Sequence, residues 1–253
     1  MNGGEPTTHP ELAIILKRAV QSGAKVTLFT NGRSLRHLHL AENILVSGLH
    51  RISVPLYGSS ASKHDALTNI PGSFEQTVQG LDRIFSAQKR MGFPSQVELK
   101  LLALRPSLED WPEIVSFIYN HWGNPDRIIL SGIIISHEVS LRRDILIPTL
   151  VELKLHIQLT LKQMAINQMK PYFWNIPLCV LDPANREMYP KKVKHETGGY
   201  LDIYADPKYP QGIQINPSEQ ANLLCKRCLQ SEECGGYETF YAELERASQL
   251  LSS

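Results

Sequence analysis

The sequence lacks most of the features that assign a chain to a special class. No apolar run reaches the length of a membrane span. The opening Met1-Asn2-Gly3-Gly4-Glu5-Pro6 reads neither as a signal peptide nor as a transit peptide. Charge of one sign is not in excess: 26 Lys and Arg stand against 25 Asp and Glu, a net of +1. The overall balance therefore makes no electrostatic case for nucleic acid or a membrane as partner. There is no internal repeat and no low-complexity tract. Cysteine is scarce, with four in 253 residues. A chain of this size buries a core without disulfide staples. With no export signal, the expected compartment is a reducing cytoplasm. Hydrophobic content of 42% and charged content of 20% suit a globular protein of one large domain, with or without a small appendage.

The few cysteines are gathered. Cys225, Cys228 and Cys234 stand in one short stretch, and Cys179 lies upstream of it. Four thiolates complete a tetrahedral zinc site or hold an iron–sulfur cube. The CxxC spacing of Cys225 and Cys228 argues against four unrelated buried thiols. A zinc ribbon would carry a second CxxC, where this chain has Cys179 and a longer spacing.

Hydrophobic period then organises the rest. Pro10 to Val20 reads as a helix with Leu12, Ile15, Leu16 and Val20 on one face. Lys25 to Thr30 is strand-like, and Asn31-Gly32 opens a strand-to-helix loop. His50 to Pro55 is the next strand, leaving through Tyr57-Gly58. His64-Asp65 and Gly72-Ser73-Phe74 punctuate a longer connection, where they fit loop shaping and helix capping better than acid–base chemistry. Thr77 to Met91 is a helix, Gln96 to Leu104 a strand, and Leu108 to Tyr119 a helix with Ser107 as its N-cap. Asp126 to Ile135 is a strand. The stretch from Leu141 to Met169 fits both periods in part, and its length favours helix. Pro171 to Leu178 is a short strand that delivers Cys179. Asp182 to Ser218 is irregular, and its basic run Lys191-Lys192-Val193-Lys194-His195 suits a solvated loop. Tyr237 to Leu251 is an amphipathic helix. Strand and helix alternating in this way predict an α/β fold with a parallel sheet and right-handed crossovers. Ligands bind at the carboxyl ends of such strands. Thr30-Asn31, Ser53, Tyr57-Gly58 and the loop after Ile135 are expected near one another there.

Gly3-Gly4-Glu5-Pro6 resembles the glycine-rich motif of radical S-adenosylmethionine (radical SAM) enzymes. Thr30-Asn31-Gly32 looks like their next strand end. The segment Ile52-Ser53-Val54-Pro55-Leu56-Tyr57-Gly58, with His64-Asp65 and Gly72-Ser73-Phe74 after it, is similar to the stretch downstream of that strand end in many members. The tail, Pro177-Leu178-Cys179 with the CxxC, Cys234 and Gly235-Gly236-Tyr237, resembles the auxiliary-cluster (SPASM or twitch-like) region of members that modify peptides or build cofactors. The order of the motifs is more specific than any one of them. The resemblance implies a partial (β/α) barrel of parallel strands over 1–178 and an irregular Cys-rich appendage with a C-terminal helix over 179–253. It implies that Gly3, Gly4 and Glu5 hold the methionine amino group of S-adenosylmethionine and that Ser53 faces its ribose or carboxylate. It implies that Cys179, Cys225, Cys228 and Cys234 hold an auxiliary [4Fe–4S] cluster. The implied activity is reductive cleavage of S-adenosylmethionine to a 5′-deoxyadenosyl radical. That radical would act on a peptide, a cofactor precursor or another small molecule, with a redox partner such as flavodoxin or ferredoxin.

The family also uses a CxxxCxxC loop upstream of the glycine motif, and this sequence contains none. The resulting expectation is a fragment or a late-started gene model of a larger enzyme, inactive alone, with Val26 to Thr30 an open sheet edge and helix faces left bare. A split enzyme completed by a second chain is the less favoured form. Outside the family, the alternative is a non-catalytic metal-binding structural or interaction protein, with zinc or iron–sulfur on the four thiolates.

Overall fold

A computed structural model of the chain describes residues 4–92, 94–133, 139, 141–186 and 234. Gly3, Cys225, Cys228, the loop just after Ile135, the basic run and the expected C-terminal helix lie outside the described residues. Five strands form one sheet: β1 (Thr27–Phe29), β2 (Arg51–Pro55), β3 (Gln96–Leu102), β4 (Arg127–Ser131) and β5 (Pro171–Trp174). Every neighbouring pair is parallel, and the order in space is the order in sequence. Right-handed crossovers that all step the same way put every helix on one face of the sheet. This is the winding of a barrel. A doubly wound sheet instead reverses strand order and is covered on both faces.

Helix α1 (Leu12–Gln21) leads into β1. The crossovers carry α2 (Leu38–Val46), then α3 (Ala61–Thr68) and α4 (Ser73–Met91), then α5 (Arg105–Leu108) and α6 (Trp111–Trp122), then α7 (Arg143–Leu146) and α8 (Leu150–Ile166). A single turn, α9 (Pro183–Arg186), follows β5. Alternate strand residues point to opposite faces. One set, exemplified by Leu28, Ile52, Val54, Leu99, Leu130 and Phe173, is apolar and buried. It meets the inward faces of the helices, with Ile44 and Leu45 of α2, Leu81 and Ile84 of α4, Ile114 and Ile118 of α6, and Leu153 and Ile157 of α8 in the same cluster. Each such side chain contributes roughly 1.5–3 kcal/mol by leaving water.

The other set is polar and aromatic: Phe29, Ser53, Glu98, Lys100, Arg127, Tyr172 and Trp174 among them. This face is concave. Phe29 and Trp174 lie on the two edge strands, four strand spacings of about 4.8 Å apart in a flat sheet. Yet the Lys100 Nζ is 5.5 Å from the Phe29 ring centroid and 4.3 Å from that of Trp174. Both rings lean in from opposite edges to one ammonium, as a curled sheet favours. The fold is therefore the expected open part of a barrel. Among the described residues β1 has a strand neighbour on its β2 side only.

Close packing fixes the first crossover. The chain turns at Arg33–Arg36 in a 3-10 turn against α4. A Cβ on Gly80 of α4 would fall 2.1 Å from the Gly32 carbonyl oxygen and 3.1 Å from the Leu35 Cβ. No side chain fits between those backbones.

Three expectations need correction. Ser107 is not an N-cap: its hydroxyl donates to the carbonyls of Leu102 and Leu104 inside the single turn α5. Helix α6 starts later, after Asp110, with Pro112 in its first turn. The stretch from Leu141 to Met169 is not one helix. It breaks at Ile147-Pro148, and α8 begins with a capping box in which Thr149 and Glu152 each accept from the other's backbone N–H. Helix α3 stands where a connection was expected. Its one buried side chain is His64, so it has no apolar period to read. Among the described residues no helix is long and apolar enough to cross a membrane.

Candidate functional site

The carboxyl rim of the sheet is organised by Glu5. Its Oε1 accepts from the Thr7 N–H at 3.0 Å, the Thr7 hydroxyl at 2.6 Å and the Thr30 hydroxyl at 2.6 Å. Its Oε2 accepts from the Asn31 N–H at 2.7 Å. The carboxylate thereby ties the glycine-bearing opening segment to the end of β1, where Thr30 also donates its N–H to the Ser53 carbonyl. Asn31 is held in turn, its Oδ1 accepting from the Arg33 N–H and its carbonyl from the Thr77 hydroxyl.

Gly4 lies beside this knot, exposed, with φ +56°. A Cβ on it would meet nothing within 4 Å. Backbone conformation, not crowding, calls for glycine there, and the open space leaves its peptide groups approachable. The segment thus fits a ligand contacted through the main chain. The Glu5 side chain was expected to hold an amino group. Four protein donors already occupy it, and only Oε2 keeps spare acceptor capacity.

Ser53 is not at a strand end. It is the third of five residues in β2, 1% exposed, and its hydroxyl donates to Glu98 Oε1 at 2.8 Å. Glu98, 2% exposed, has its Oε2 at 3.4 Å from both Arg51 Nη1 and Arg127 Nε. Arg51 donates twice to Gln96 Oε1, and Arg127 lies 4.2 Å over the Tyr172 ring. Arg51, Gln96 and Arg127 open their strands, so this network closes the amino end of the concave face. Burial, then the nearby Arg127, push the Arg51 guanidinium down from its ordinary value, with Glu98 opposing.

Higher on the same face, Lys100 is the fifth residue of β3. Burial pushes its ammonium down, again opposed by Glu98. Its contacts are the faces of Phe29 and Trp174.

The loops at the rim are pinned by two aspartates. Asp110 accepts from the Ser59 N–H at 2.6 Å and hydroxyl at 2.9 Å, and pairs with Lys63. Asp65 accepts from the Ser73 hydroxyl at 2.7 Å and the N–H groups of Phe74 and Gly72 at 2.8 and 2.6 Å. These bonds, the one from Ser73 first, hold its carboxyl below the usual range. His64 is buried between the rings of Tyr57 and Phe74, and burial pushes it down to about 4. Neutral, it accepts from the Tyr57 N–H through Nδ1 at 3.3 Å. The pair shapes the loop and caps α4, as the sequence suggested.

Cys179 is exposed in a 3-10 turn (Leu178–Val180) just past β5. Cys234, distant in sequence, comes to the same turn: its Sγ accepts from the Leu178 N–H at 3.3 Å. Neither is in a disulfide. Among the described residues no three His, Cys, Asp or Glu side chains gather as a metal site.

Lys100, Glu98 and Arg127 were not among the expected site residues. For Glu98 and Lys100 the signal was present in Val97-Glu98-Leu99-Lys100-Leu101, which alternates apolar and charged in strict period 2.

Residues 1–118 match the model of the radical SAM superfamily. The chain is 33% identical over 97 residues to an AdoMet-dependent heme synthase of Methanosarcina barkeri, covering 38% of this chain and 26% of that protein. It is 32% identical over 82 residues to a probable GTP 3′,8-cyclase of Pyrobaculum aerophilum, covering 32% of this chain and 26% of that one. The crystal structure of Streptococcus suis SuiB bound to S-adenosylmethionine superposes with a TM-score of 0.50 at 15% identity, over 68% of this chain and 36% of that chain. That likeness concerns the fold. The matched region thus spans about a quarter of the curated relatives' length. The family match and both relatives thus point the same way, to likeness with the radical SAM superfamily over residues 1–118.

Proposed function

We propose that residues 1–178 are the S-adenosylmethionine-binding barrel of a radical SAM enzyme and that 179–253 are an auxiliary-cluster region. The observation that carries this is the Glu5 knot, which fastens an exposed Gly4 backbone to the carboxyl end of β1. Ligands of parallel α/β sheets sit at that end. S-adenosylmethionine, when reduced by one electron, supplies a 5′-deoxyadenosyl radical that abstracts a hydrogen atom from substrate. The Gly3-Gly4 main chain would take the methionine amino group. The concave face would orient the substrate, and the buried Glu98–arginine network would keep water out from below. The described residues hold no thiolate trio for a reducing cluster, so the electron would come from a centre outside them, fed by a flavodoxin- or ferredoxin-like partner.

The named activities of the relatives support a cofactor precursor or other small molecule over a peptide. The meeting of Cys234 with the peptide beside Cys179 supports a shared centre for the four cysteines. The test is anaerobic reconstitution with iron and sulfide, followed by equilibrium dialysis with S-adenosylmethionine. A brown protein that binds S-adenosylmethionine is expected. A Gly4→Val variant should bind it about tenfold more weakly. A colourless protein holding one zinc and no S-adenosylmethionine overturns the reading in favour of a structural metal-binding role.

A further inference from the structure

The concave face carries charges the superfamily match leaves without a role. Arg51 and Arg127 share Glu98, whose other oxygen is taken by Ser53. Lys100 stands two residues farther along β3, and its register neighbours are Pro55 and Ile129, neither of which has a side-chain acceptor. Among the described residues no carboxylate, hydroxyl or carbonyl accepts from its ammonium. What it touches are the Trp174 and Phe29 rings, 41% and 36% exposed. Ring faces hold a cation in place, but a cation withdrawn from water is stabilised far more by an anion. Of the described cations on this face, Arg51 and Arg127 pair with Glu98 and Lys170 lies over Tyr172 at the amino end, whereas Lys100 stands at the carboxyl end, where ligands enter.

We infer that Lys100 is the binding point for a carboxylate of the molecule held on the concave face, with Trp174 and Phe29 flanking that molecule's body. A carboxylate suits one ammonium. A phosphate gathers several donors, typically an arginine fork or a helix N-terminus, whereas Lys100 is a single ammonium set between two rings. The inference deepens the reading above and rests on the same rim. The carboxylate has two chemical sources: the methionine end of S-adenosylmethionine, or an acidic second substrate.

The reconstituted full chain, Lys100→Met and Lys100→Arg are compared with three probes: S-adenosylmethionine, its decarboxylated analogue, and succinate as a free carboxylate followed by quenching of Trp174. If the first source is right, the wild type prefers S-adenosylmethionine to the decarboxylated analogue by about tenfold. Lys100→Met loses that preference and Lys100→Arg keeps most of it. If the second is right, Lys100→Met binds S-adenosylmethionine as the wild type does but binds succinate about tenfold more weakly, again with rescue by arginine. Lys100→Met matching the wild type with all three probes overturns the proposal. Failure of the S-adenosylmethionine reading is seen separately, as a wild type that binds neither adenosyl compound. The succinate arm still decides the role of Lys100 in that case, and wild type failing to bind succinate as well ends it.

Discussion

At the scale of the residue, two side chains act through hydrogen bonds and burial. His64 is neutral in the fold, with its value near 4 against an ordinary 6.5. As pH falls, the unfolded chain takes up this proton first. The histidine's contribution is therefore whole above about pH 6.5 and is lost as pH drops toward 4, a change of roughly 3 kcal/mol. In urea unfolding at pH 7.5 and 4.5, His64→Asn is expected to lose less stability than the wild type by about that amount, since the amide keeps an acceptor for the Tyr57 N–H. Glu5 accepts four bonds that join the opening segment to β1. Glu5→Ala should cost about 2 kcal/mol, and hydrogen exchange should quicken at the Asn31 amide. Unchanged exchange there would show that the knot does not hold the rim.

At the scale of the element, helices are placed by what their neighbours leave room for. Gly80 lets α4 lie against the Gly32 carbonyl, so Gly80→Ala must push α4 off the first crossover. A loss of about 3 kcal/mol in denaturant unfolding is expected. Helix α8 depends on its start instead. Thr149→Ala removes one half of the capping box and should cost about 1 kcal/mol. The same helix presents Val151, Leu155 and Leu159 to solvent at a spacing of four residues. An apolar dye is expected to bind the native chain, and Val151→Lys with Leu155→Lys to weaken its signal.

At the scale of the whole molecule, one winding direction separates two chemistries. Among the described residues the crossover helices lie on the convex face and cover the apolar strand side chains turned to it. The concave face carries the charged and aromatic side chains alongside a few aliphatic ones such as Ile129, with Glu98 and two arginines at its amino end and Lys100 toward its carboxyl end. Cys179 joins this rim because β5 delivers it there. If the four cysteines share one centre, Cys225→Ala should abolish iron loading, read as iron and acid-labile sulfide per chain. Full loading in that variant would defeat the shared four-thiolate centre.

The amino-acid sequence by itself determined the helices and strands with a strong apolar period, from α1 and α4 to β2 and β3, because burial of one face writes that period into the chain. It determined the parallel α/β class, through the alternation of those elements, and it marked the glycine opening and the cysteines by type and spacing. It did not reveal α3, whose inward side chain is a single histidine, nor the break before α8, where capping overrides length. Only the tertiary structure decided that Ser53 serves Glu98 inside β2 and that Glu5 is occupied by β1. It alone brought Phe29 and Trp174 from opposite edges to one lysine. Such pairings join residues far apart in sequence, and they arise from strand register and curvature, which no local pattern encodes.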